Sequence, residues 1–427
     1  MEAQNGQCKS INSKTKLTKE EVERYCRQII LPEIGPEGQE KINKAKVLVI
    51  GAGGLGSPLL MYLAGAGVGT IGVVDGDSVD LSNLHRQVIH STANKGMNKA
   101  SSACLLMKAF NPNIEVKIYD EHLTSKNGLS IAKEYDLLVD CCDNPATRYL
   151  TNDICVVLNK PLVSGSAVKW EGQLTVYVKD SLETSANKLP CYRCLFPIPT
   201  PPSAVCNCGD SGVFGPVPGV IGTLQANECI KLLIGASDKI LAKRMLMYDA
   251  YEMSFKIFKL RSYKEDCIVC GSEEKRQITI ENLENFDYDD FTNPKETRVP
   301  KRINLLPDFN KDWDFFIEDF KKMNITNEGI ALIDVRPREQ YSMYHINLEE
   351  NAKFTNLPLK EFQENFDKLE NEMGLKGKKI YVMCRAGNLS THAVDFMIKR
   401  GYTNVFNLAD GLHGYIKQID SVNTPYY

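Results

Sequence analysis

The 427-residue sequence lacks an excess of charge of either sign, because 51 lysines and arginines stand against 54 aspartates and glutamates. Proteins that bind nucleic acid through a basic surface need a strong positive field, so direct nucleic-acid binding is disfavoured. With 43% hydrophobic and 25% charged residues, the composition is that of a folded protein. The length predicts two or three domains.

The amino-terminal residues lack the features of a targeting segment. Residues 1–20 are polar with scattered lysines and contain neither the apolar stretch of a secretory signal nor the arginine-rich pattern of a transit peptide. We therefore expect a cytoplasmic protein. In that reducing compartment the fourteen cysteines are expected to be metal ligands, nucleophiles or buried thiols rather than a disulfide framework.

The sequence also has no uninterrupted apolar run of membrane-spanning length. Residues 47–74 are almost free of charge, but glycines and Pro58 interrupt them. This pattern favours a buried strand, a turn, a helix and a second strand over a membrane span. We expect no membrane association.

Short apolar runs alternate with helical stretches between Lys46 and Asp153, which is typical of a doubly wound α/β sheet. The composition predicts a polar tail at 1–16, a first domain at 17–272, a linker at 273–300 and a smaller α/β domain at 301–427. Residues 190–222 are rich in cysteine, proline and glycine, and are predicted to be mostly loop.

A glycine-rich turn marks a nucleotide site. The predicted strand KVLVI is followed by GAGGLG, with Gly51, Gly53 and Gly56, and the next predicted strand ends at Asp75. The glycines let phosphates approach the backbone at a helix N-terminus, and Asp75 is placed to accept hydrogen bonds from ribose hydroxyls. This fingerprint alone fits either a nicotinamide cofactor or ATP.

The residues that follow favour ATP with Mg²⁺ and disfavour a dehydrogenase. SNLHRQ supplies Asn83 and Arg86, Lys99 follows, and DCCDN supplies carboxylates after a further strand. Cations near phosphates and a carboxylate for Mg²⁺ are what nucleotidyl transfer needs. Taken singly, Arg86 could be a surface charge, His85 a core histidine and Asp143 a helix cap.

Two CxxC pairs predict a metal site. Cys191 and Cys194 form one pair, and Cys267 and Cys270 form the other. Four thiolates suit a structural Zn²⁺ ion, although a single pair would also fit a redox motif.

Two further cysteine positions are candidate nucleophiles. Cys206 and Cys208 lie in a glycine-rich loop, where at least one is expected to be an exposed nucleophile; an inert thiol or a strained bridge is the alternative. Cys384 ends the strand KIYVM and opens CRAGNLS before a helix. Backbone N–H groups at such a turn stabilise an anionic sulfur, as in a phosphatase or a sulfurtransferase.

The motifs RYCRQI, GAGGLG, VDGD, SNLHRQ and DCCDN, in this order, resemble those of the ubiquitin-activating-like adenylyltransferases, which have a Rossmann-like ATP-binding domain. The resemblance implies that Asp143 binds Mg²⁺, that Cys208 forms a thioester, that the two CxxC pairs bind zinc, and that Arg27 reaches the ATP of the partner subunit in a homodimer. It also implies an ATP site made of Gly54, Asp75, Ser82, Asn83, Leu84, His85, Arg86, Lys99, Asp143 and Asn144.

The segments LIDVRPREQY, CRAGNLS and GYTNVFNLADGLHGY resemble the three characteristic segments of the rhodanese domain. That resemblance implies a persulfide on Cys384, with residues 385–390 lining the loop. Asp334 and Arg336 are expected to belong to the scaffold.

Together the two domains resemble the family of adenylyltransferases and sulfurtransferases that act on ubiquitin-related modifiers. The resemblance implies adenylation of the C-terminal glycine of a β-grasp sulfur-carrier protein and its conversion to a thiocarboxylate. The sulfur would come from an upstream cysteine desulfurase or sulfurtransferase. The product would serve thiolation of the tRNA wobble uridine and conjugation of the modifier; whether it also serves molybdopterin synthase stays open at this point.

Some questions stay open at this point. Either the Cys208 thiolate or the Cys384 persulfide fits as the attacking sulfur. An enzyme that passes a thioester to a conjugating enzyme is an alternative, as are a nicotinamide-dependent dehydrogenase and an inactive scaffold.

Overall fold

The computed structural model describes residues 15–177, 189–200, 212–293, 314–315, 329–343, 345–346 and 353–419. The chain divides into two compact units, Met1–Pro294 and Lys295–Tyr427, each of which has its own sheet. The predicted nucleophile Cys208 and its neighbour Cys206 lie outside the described residues, as does most of the predicted tail.

The described strands of unit 1 form an eight-stranded sheet in the order β3-β2-β1-β4-β5-β6-β7-β8. Neighbours from β3 to β5 are parallel, and the strands from β5 to β8 pair antiparallel. The strands are β1 (Lys46–Ile50), β2 (Thr70–Val74), β3 (Glu115–Tyr119), β4 (Leu137–Asp140), β5 (Leu162–Val168), β6 (Glu171–Tyr177), β7 (Arg244–Asp249) and β8 (Ser254–Lys259).

Helices cover both faces of this sheet. They are α1 (Lys19–Ile29), α2 (Gly35–Lys44), α3 (Gly56–Ala66), α4 (Lys99–Phe110), α5 (Gly128–Ala132), α6 (Pro145–Val157), α7 (Tyr192–Leu195), α8 (Pro216–Ile234) and α9 (Tyr288–Thr292). Residues of β1 alternate between two apolar cores, with Val47 and Val49 in one and Leu48 and Ile50 in the other. This alternation is why β1 is apolar at four consecutive positions, as expected of a parallel strand covered on both sides.

The strand order reverses at β1, whose neighbours β2 and β4 continue the chain on opposite sides. In open α/β sheets, ligands bind at the carboxyl ends of the strands at such a point. Residues 47–74, which are almost free of charge, form β1, α3 and β2 and not a single long helix, as predicted. No helix among the described residues has the length and apolar character needed to cross a membrane.

The prediction that residues 190–222 are mostly loop is wrong for their last part. Helix α8 begins at Pro216, and Val217 and Ile221 are buried in its first turns. Proline is compatible with the first turn of a helix because the N–H groups there have no intrahelical partner. The prolines that indicated a loop therefore mark a helix start.

The predicted linker at 273–300 also needs correction. Its described part, residues 273–293, belongs to unit 1, because Leu283 and Tyr288 are buried and Phe286 and Phe291 pack against the same core. Its charged sequence suggested a solvated segment, but aromatic residues between the charges pack against α6. Residues 294–300 lie outside the described residues.

In unit 2, the described strands form a five-stranded parallel sheet in the order β11-β10-β12-β13-β9. These are β9 (Asp314–Phe315), β10 (Ile330–Asp334), β11 (Lys353–Asn356), β12 (Lys379–Met383) and β13 (Val405–Leu408). The helices among the described residues of this unit are α10 (Arg338–Met343), α11 (Leu359–Met373), α12 (Ser390–Lys399) and α13 (Gly411–Ile419). Both units thus confirm the predicted α/β class.

A buried ion pair joins three segments of unit 1. Arg193, in α7, contacts Asp153 in α6 at 2.7 Å, and the Tyr288 hydroxyl in α9 donates to the same carboxylate at 2.9 Å. The guanidinium also lies over the ring of Phe291, 4.5 Å from its centroid. Burial raises the pKa of Asp153, so its charge depends on these partners.

We predict that Arg193→Leu destabilises unit 1 by about 3–5 kcal/mol, because it leaves the buried Asp153 carboxylate without its cation. The sequence has two tryptophans, Trp170 and Trp313. Urea unfolding followed by tryptophan fluorescence in a Trp313→Phe background therefore reports on unit 1. Lys239→Met, at an exposed ion pair with Asp238, is the control and should leave the midpoint unchanged. A loss below about 1 kcal/mol in Arg193→Leu would contradict a structural role for the pair.

Candidate functional site

A cleft of about 430 Å³ lies at the carboxyl ends of β1, β2 and β4. Six of the residues predicted to bind ATP line it, namely Gly54, Asp75, Arg86, Lys99, Asp143 and Asn144. Ser82, Asn83, Leu84 and His85 form the turn that leads to Arg86. Arg27 is exposed on α1 and is not among the described residues that line the cleft.

The glycine loop passes too close to its neighbours for side chains. Gly51 has a φ of +100°, and a Cβ atom there would lie 2.8 Å from the carbonyl oxygen of Cys141 at the end of β4. A Cβ on Gly56 would lie 2.1 Å from the carbonyl oxygen of Gly51. The loop therefore presents backbone rather than side chains to the cleft, as a phosphate site requires.

Asp75 holds this loop in place. Its Oδ2 accepts a hydrogen bond from the Ala52 N–H at 2.8 Å, and its Oδ1 accepts one from the Asp77 N–H at 2.9 Å. Burial raises the pKa of Asp75, while the nearby Lys99 opposes the rise. Each oxygen keeps a second lone pair, so the carboxylate can still accept a ribose hydroxyl.

The cations of the cleft are held by neighbouring side chains. Lys99 is 6% exposed, and its Nζ lies 2.7 Å from Asp77 Oδ2. Arg86 Nη2 donates to Asn83 Oδ1 at 2.7 Å. Asp77 lies within the VDGD motif, yet sequence reasoning assigned it no role. Both cations are thus oriented at the edge of the cleft where phosphates would lie.

The structure decides whether His85 is a core histidine. His85 is exposed, so it is not a core histidine. The buried histidine is His90, whose Nε2 donates to the Ala52 carbonyl and whose Nδ1 lies 2.9 Å from Ser102 Oγ. Burial lowers the pKa of His90, which keeps the ring neutral. Sequence reasoning missed His90 because only the fold brings it to the glycine loop.

Asp143 and Asn144 have separate positions at the start of α6. Asn144 is the helix cap, since its Oδ1 accepts from the Thr147 N–H at 2.8 Å. Asp143 is exposed in the cleft, and its carboxylate contacts no partner among the described residues. A carboxylate at the phosphate end of the cleft fits a Mg²⁺ ion brought by ATP.

An ion pair that sequence reasoning missed supports the end of β4. Asp140 is fully buried, lies 3.2 Å from Arg148 Nε and accepts from the Ser164 hydroxyl at 2.8 Å. Arg148 also donates to the carbonyls of Cys142 and Gly165. Asp140 was considered only as one of the DCCDN carboxylates, and the structure shows that it is not exposed to a ligand.

The four cysteines of the CxxC pairs come together. All are buried, and their sulfur atoms lie within 4.8 Å of one another. Tetrahedral zinc thiolates have sulfurs about 3.8 Å apart, and the distances here include 3.7 Å between Cys191 and Cys267. Burial raises the pKa of Cys191, whereas hydrogen bonds from the neighbouring thiols lower that of Cys267. Four thiolates would need a bound cation, so the donor set fits a structural Zn²⁺ that joins α7 to residues 267–270.

In unit 2, Cys384 follows β12 and is 2% exposed. A Cβ on Gly387, which has a φ of +78°, would lie 1.9 Å from the Ala409 carbonyl, so the loop turns tightly. Arg385 Nε donates to His413 Nε2 at 2.9 Å, and the Leu412 N–H donates to the Cys384 carbonyl. Helix α12 begins at the end of the loop, as predicted.

Asp334, the last residue of β10, forms a buried ion pair of 2.6 Å with Arg336. This geometry agrees with the scaffold role expected of them. The residues of the cysteine loop itself, by contrast, are partly exposed at Arg385, Ala386, Asn388 and Leu389.

Comparison with known proteins decides the family. The chain matches the ThiF family over residues 25–269 and the rhodanese-like domain over residues 317–418. Adenylyltransferase and sulfurtransferase MOCS3-1 of Zea mays is 42% identical over 93% of this chain and 82% of its own length. MOCS3 of Culex quinquefasciatus is 41% identical over 96% of this chain and 90% of its own. The chain belongs to the MOCS3 adenylyltransferase and sulfurtransferase family. It is accordingly a bifunctional enzyme.

Solved structures agree with the fold of unit 1. MccB of E. coli with ATP covers 60% of this chain and 75% of its own, with 22% identity and a TM-score of 0.51. MccB with AMPCPP and MccA covers 60% and 76%, with 24% identity and a TM-score of 0.52. At this identity the likeness supports the fold alone.

We predict that the purified protein holds one zinc ion in this cluster and that Cys267→Ser loses it, because three thiolates and a weakly acidic hydroxyl no longer complete the site. Zinc per chain, measured by elemental analysis of the purified protein, should fall from about one to near zero. Cys104→Ser, at a half-buried cysteine outside the cluster, is the matched control and should retain the metal. Equal zinc content in both variants would exclude this cluster as the site.

Proposed function

We propose that the enzyme adenylates the C-terminal glycine of a ubiquitin-like β-grasp carrier and then converts it to a thiocarboxylate with persulfide sulfur from Cys384. One observation carries this proposal: a single chain holds both a phosphate-binding cleft with oriented cations and a cysteine in a tight backbone loop. Carboxylate activation and sulfur delivery are the two halves of thiocarboxylate synthesis.

In the first half, a carboxylate oxygen of the carrier attacks the α-phosphorus of ATP, and pyrophosphate leaves. Lys99 and Arg86 would offset the charge that develops on the phosphate oxygens, and the backbone of the glycine loop would bind the phosphates. Asp143 would hold the Mg²⁺ ion, which shields phosphate charge when bound. Asp75 would accept hydrogen bonds from the ribose.

In the second half, the terminal sulfur of the Cys384 persulfide attacks the acyl carbon and AMP leaves, which gives an acyl disulfide. A second thiolate then attacks the Cys384 sulfur, forms a disulfide with it and releases the thiocarboxylate. We propose Cys208 for this thiolate, or for a preceding thioester. Two equivalents of an external thiol would reduce the disulfide, leave as their own disulfide and restore both cysteines.

We further propose a homodimer in which the exposed Arg27 reaches the ATP of the partner subunit. The free thiols of the described residues fit a reducing compartment, and we propose the cytoplasm. The upstream donor would be a cysteine desulfurase or another sulfurtransferase. Thiolation of the tRNA wobble uridine, conjugation of the modifier and activation of molybdopterin synthase are the proposed uses of the product.

We predict that Cys384→Ser abolishes sulfur transfer and leaves adenylation intact, because a hydroxyl cannot carry a persulfide and unit 1 has its own fold. Sulfur transfer is measured as thiocyanate formed from thiosulfate and cyanide. Adenylation is measured as carrier-dependent exchange of pyrophosphate into ATP. Loss of both activities in this variant would contradict the division of labour between the two units.

The reciprocal control is Lys99→Met, which removes a cation from the cleft while preserving most of the length of the side chain. Pyrophosphate exchange should fall by about 10²–10³-fold, as for loss of a single stabilising group in a transition state. Thiocyanate formation should stay at the level of the unaltered enzyme. An unchanged rate of exchange would remove Lys99 from the proposed mechanism.

A further inference from the structure

We propose that Asn407 is a positioning residue for sulfur transfer. Its buried amide orients the Ser390 hydroxyl against the Cys384 sulfur and holds one carbonyl of the cysteine loop in a fixed direction. This inference rests on the proposed function, in which Cys384 carries the transferred sulfur. Neither the motifs nor the family resemblance assigned a role to Asn407.

A continuous hydrogen-bond chain lies behind the sulfur atom. Cys384 Sγ is 3.3 Å from Ser390 Oγ, and Ser390 Oγ is 2.6 Å from Asn407 Oδ1. Asn407 Nδ2 lies 3.0 Å from the Gly387 carbonyl and 2.8 Å from Asp314 Oδ1. Cys384, Ser390 and Asn407 are each at most 2% exposed, so water does not compete for these contacts.

The partners of Asn407 determine how its amide is oriented. The Gly387 carbonyl and the Asp314 carboxylate can only accept hydrogen bonds, so the NH₂ group must face them. The carbonyl oxygen of Asn407 therefore faces Ser390 and accepts its only hydroxyl proton. The Ser390 hydroxyl lies within donating distance of both Asn407 Oδ1 and Cys384 Sγ. Its proton faces Asn407 while Cys384 is a thiol, which then donates to Ser390, and it can turn to the sulfur once Cys384 is a thiolate. This contact fixes the direction of the Cys384 sulfur within the loop.

The contact with Gly387 affects the loop backbone. Glycine with a positive φ rotates easily, so the peptide between Gly387 and Asn388 could turn in either direction. Asn407 holds the carbonyl of this peptide, and in a trans peptide the N–H points the opposite way. The Asn388 N–H is therefore directed away from Asn407. If the peptide turned over, its carbonyl oxygen would take the side of the loop that the N–H occupies, and a carbonyl oxygen repels an anion whereas an N–H attracts it.

Asp314 completes the chain from the neighbouring strand. It pairs directly with Asn407 in the register of β9 and β13, and its carboxylate accepts the second proton of the NH₂ group. With Ser390 and Gly387, it gives Asn407 three hydrogen bonds to separate groups. An apolar residue of similar size would fill the same space but would orient neither Ser390 nor the loop.

The test uses the full-length protein in the thiosulfate and cyanide assay. In the first step the Cys384 thiolate attacks the outer sulfur of thiosulfate and sulfite leaves; in the second, cyanide takes the terminal sulfur as thiocyanate and the thiolate is restored. The variants are Asn407→Leu, Ser390→Ala and the double variant. Asn404→Leu, at an exposed asparagine on the same segment, is the matched control.

We expect each single variant at Asn407 or Ser390 to lower kcat about 10-fold, within the range for coupled neighbouring residues. The KM for thiosulfate should change less than about twofold, since Asn407 acts on the reacting sulfur rather than on substrate binding. The double variant should be no slower than the slower single variant, because both changes break one chain. Asn404→Leu should keep the kcat of the unaltered enzyme. The rate of pyrophosphate exchange should be unchanged in every variant.

Two results would overturn the inference: a kcat for Asn407→Leu within about twofold of the unaltered enzyme, or single effects that multiply in the double variant. If Asn407→Leu does not fold, Asn407→Asp is the second test. Its carboxylate would face the Asp314 carboxylate and the Gly387 carbonyl without protons to donate, so kcat should also fall. An unchanged kcat in this variant would refute the role of Asn407. Failure of the proposed function is a separate result, in which Cys384→Ser forms thiocyanate as fast as the unaltered enzyme.

Discussion

Both reactive sites depend on the close approach of a glycine loop to the carboxyl end of a parallel strand. In unit 1, Gly51 lies against Cys141 at the end of β4 with no room for a side chain. In unit 2, Gly411 lies equally close to the backbone of Cys384 and Ala386. Such turns leave backbone N–H groups directed at a ligand, and those groups stabilise anions without the flexibility of a charged side chain. Phosphate and persulfide are both anions, so backbone N–H groups at a tight turn suit both reactions.

The groups around the nucleotide cleft are held from behind by buried polar contacts. Asp75 and His90 bind the N–H and the carbonyl of Ala52, and the Asp140–Arg148 pair supports the end of β4. The cysteine cluster extends this support, because Arg193 lies between two of its cysteines and pairs with α6. Helix α6 starts at the cleft, next to Asp143. The cysteine cluster, the buried ion pair and the cleft are therefore parts of one packed region of unit 1.

Local patterns in the sequence predicted the elements that carry the chemistry. GAGGLG after an apolar strand, the two CxxC pairs and the strand before Cys384 each have a signature within a few residues. Contacts between distant segments have none: nothing near His90 indicates that it binds Ala52, and VFNL predicts a strand without showing that Asn407 meets Ser390. The start of α8 at Pro216 and the packing of residues 273–293 were missed for related reasons, since proline suits both loops and first turns, and charged sequence can still contribute buried aromatic residues.

The intact mass of the β-grasp carrier, measured after incubation with the enzyme, ATP, Mg²⁺ and thiosulfate, shows whether carboxylate activation and sulfur delivery are coupled. We expect the mass increase of one oxygen-to-sulfur exchange at the carrier's C-terminus, dependent on ATP and on Cys384. Release of pyrophosphate without this exchange would contradict the coupling of the two units and leave an activating enzyme with a different sulfur acceptor. Absence of pyrophosphate release would contradict adenylation itself.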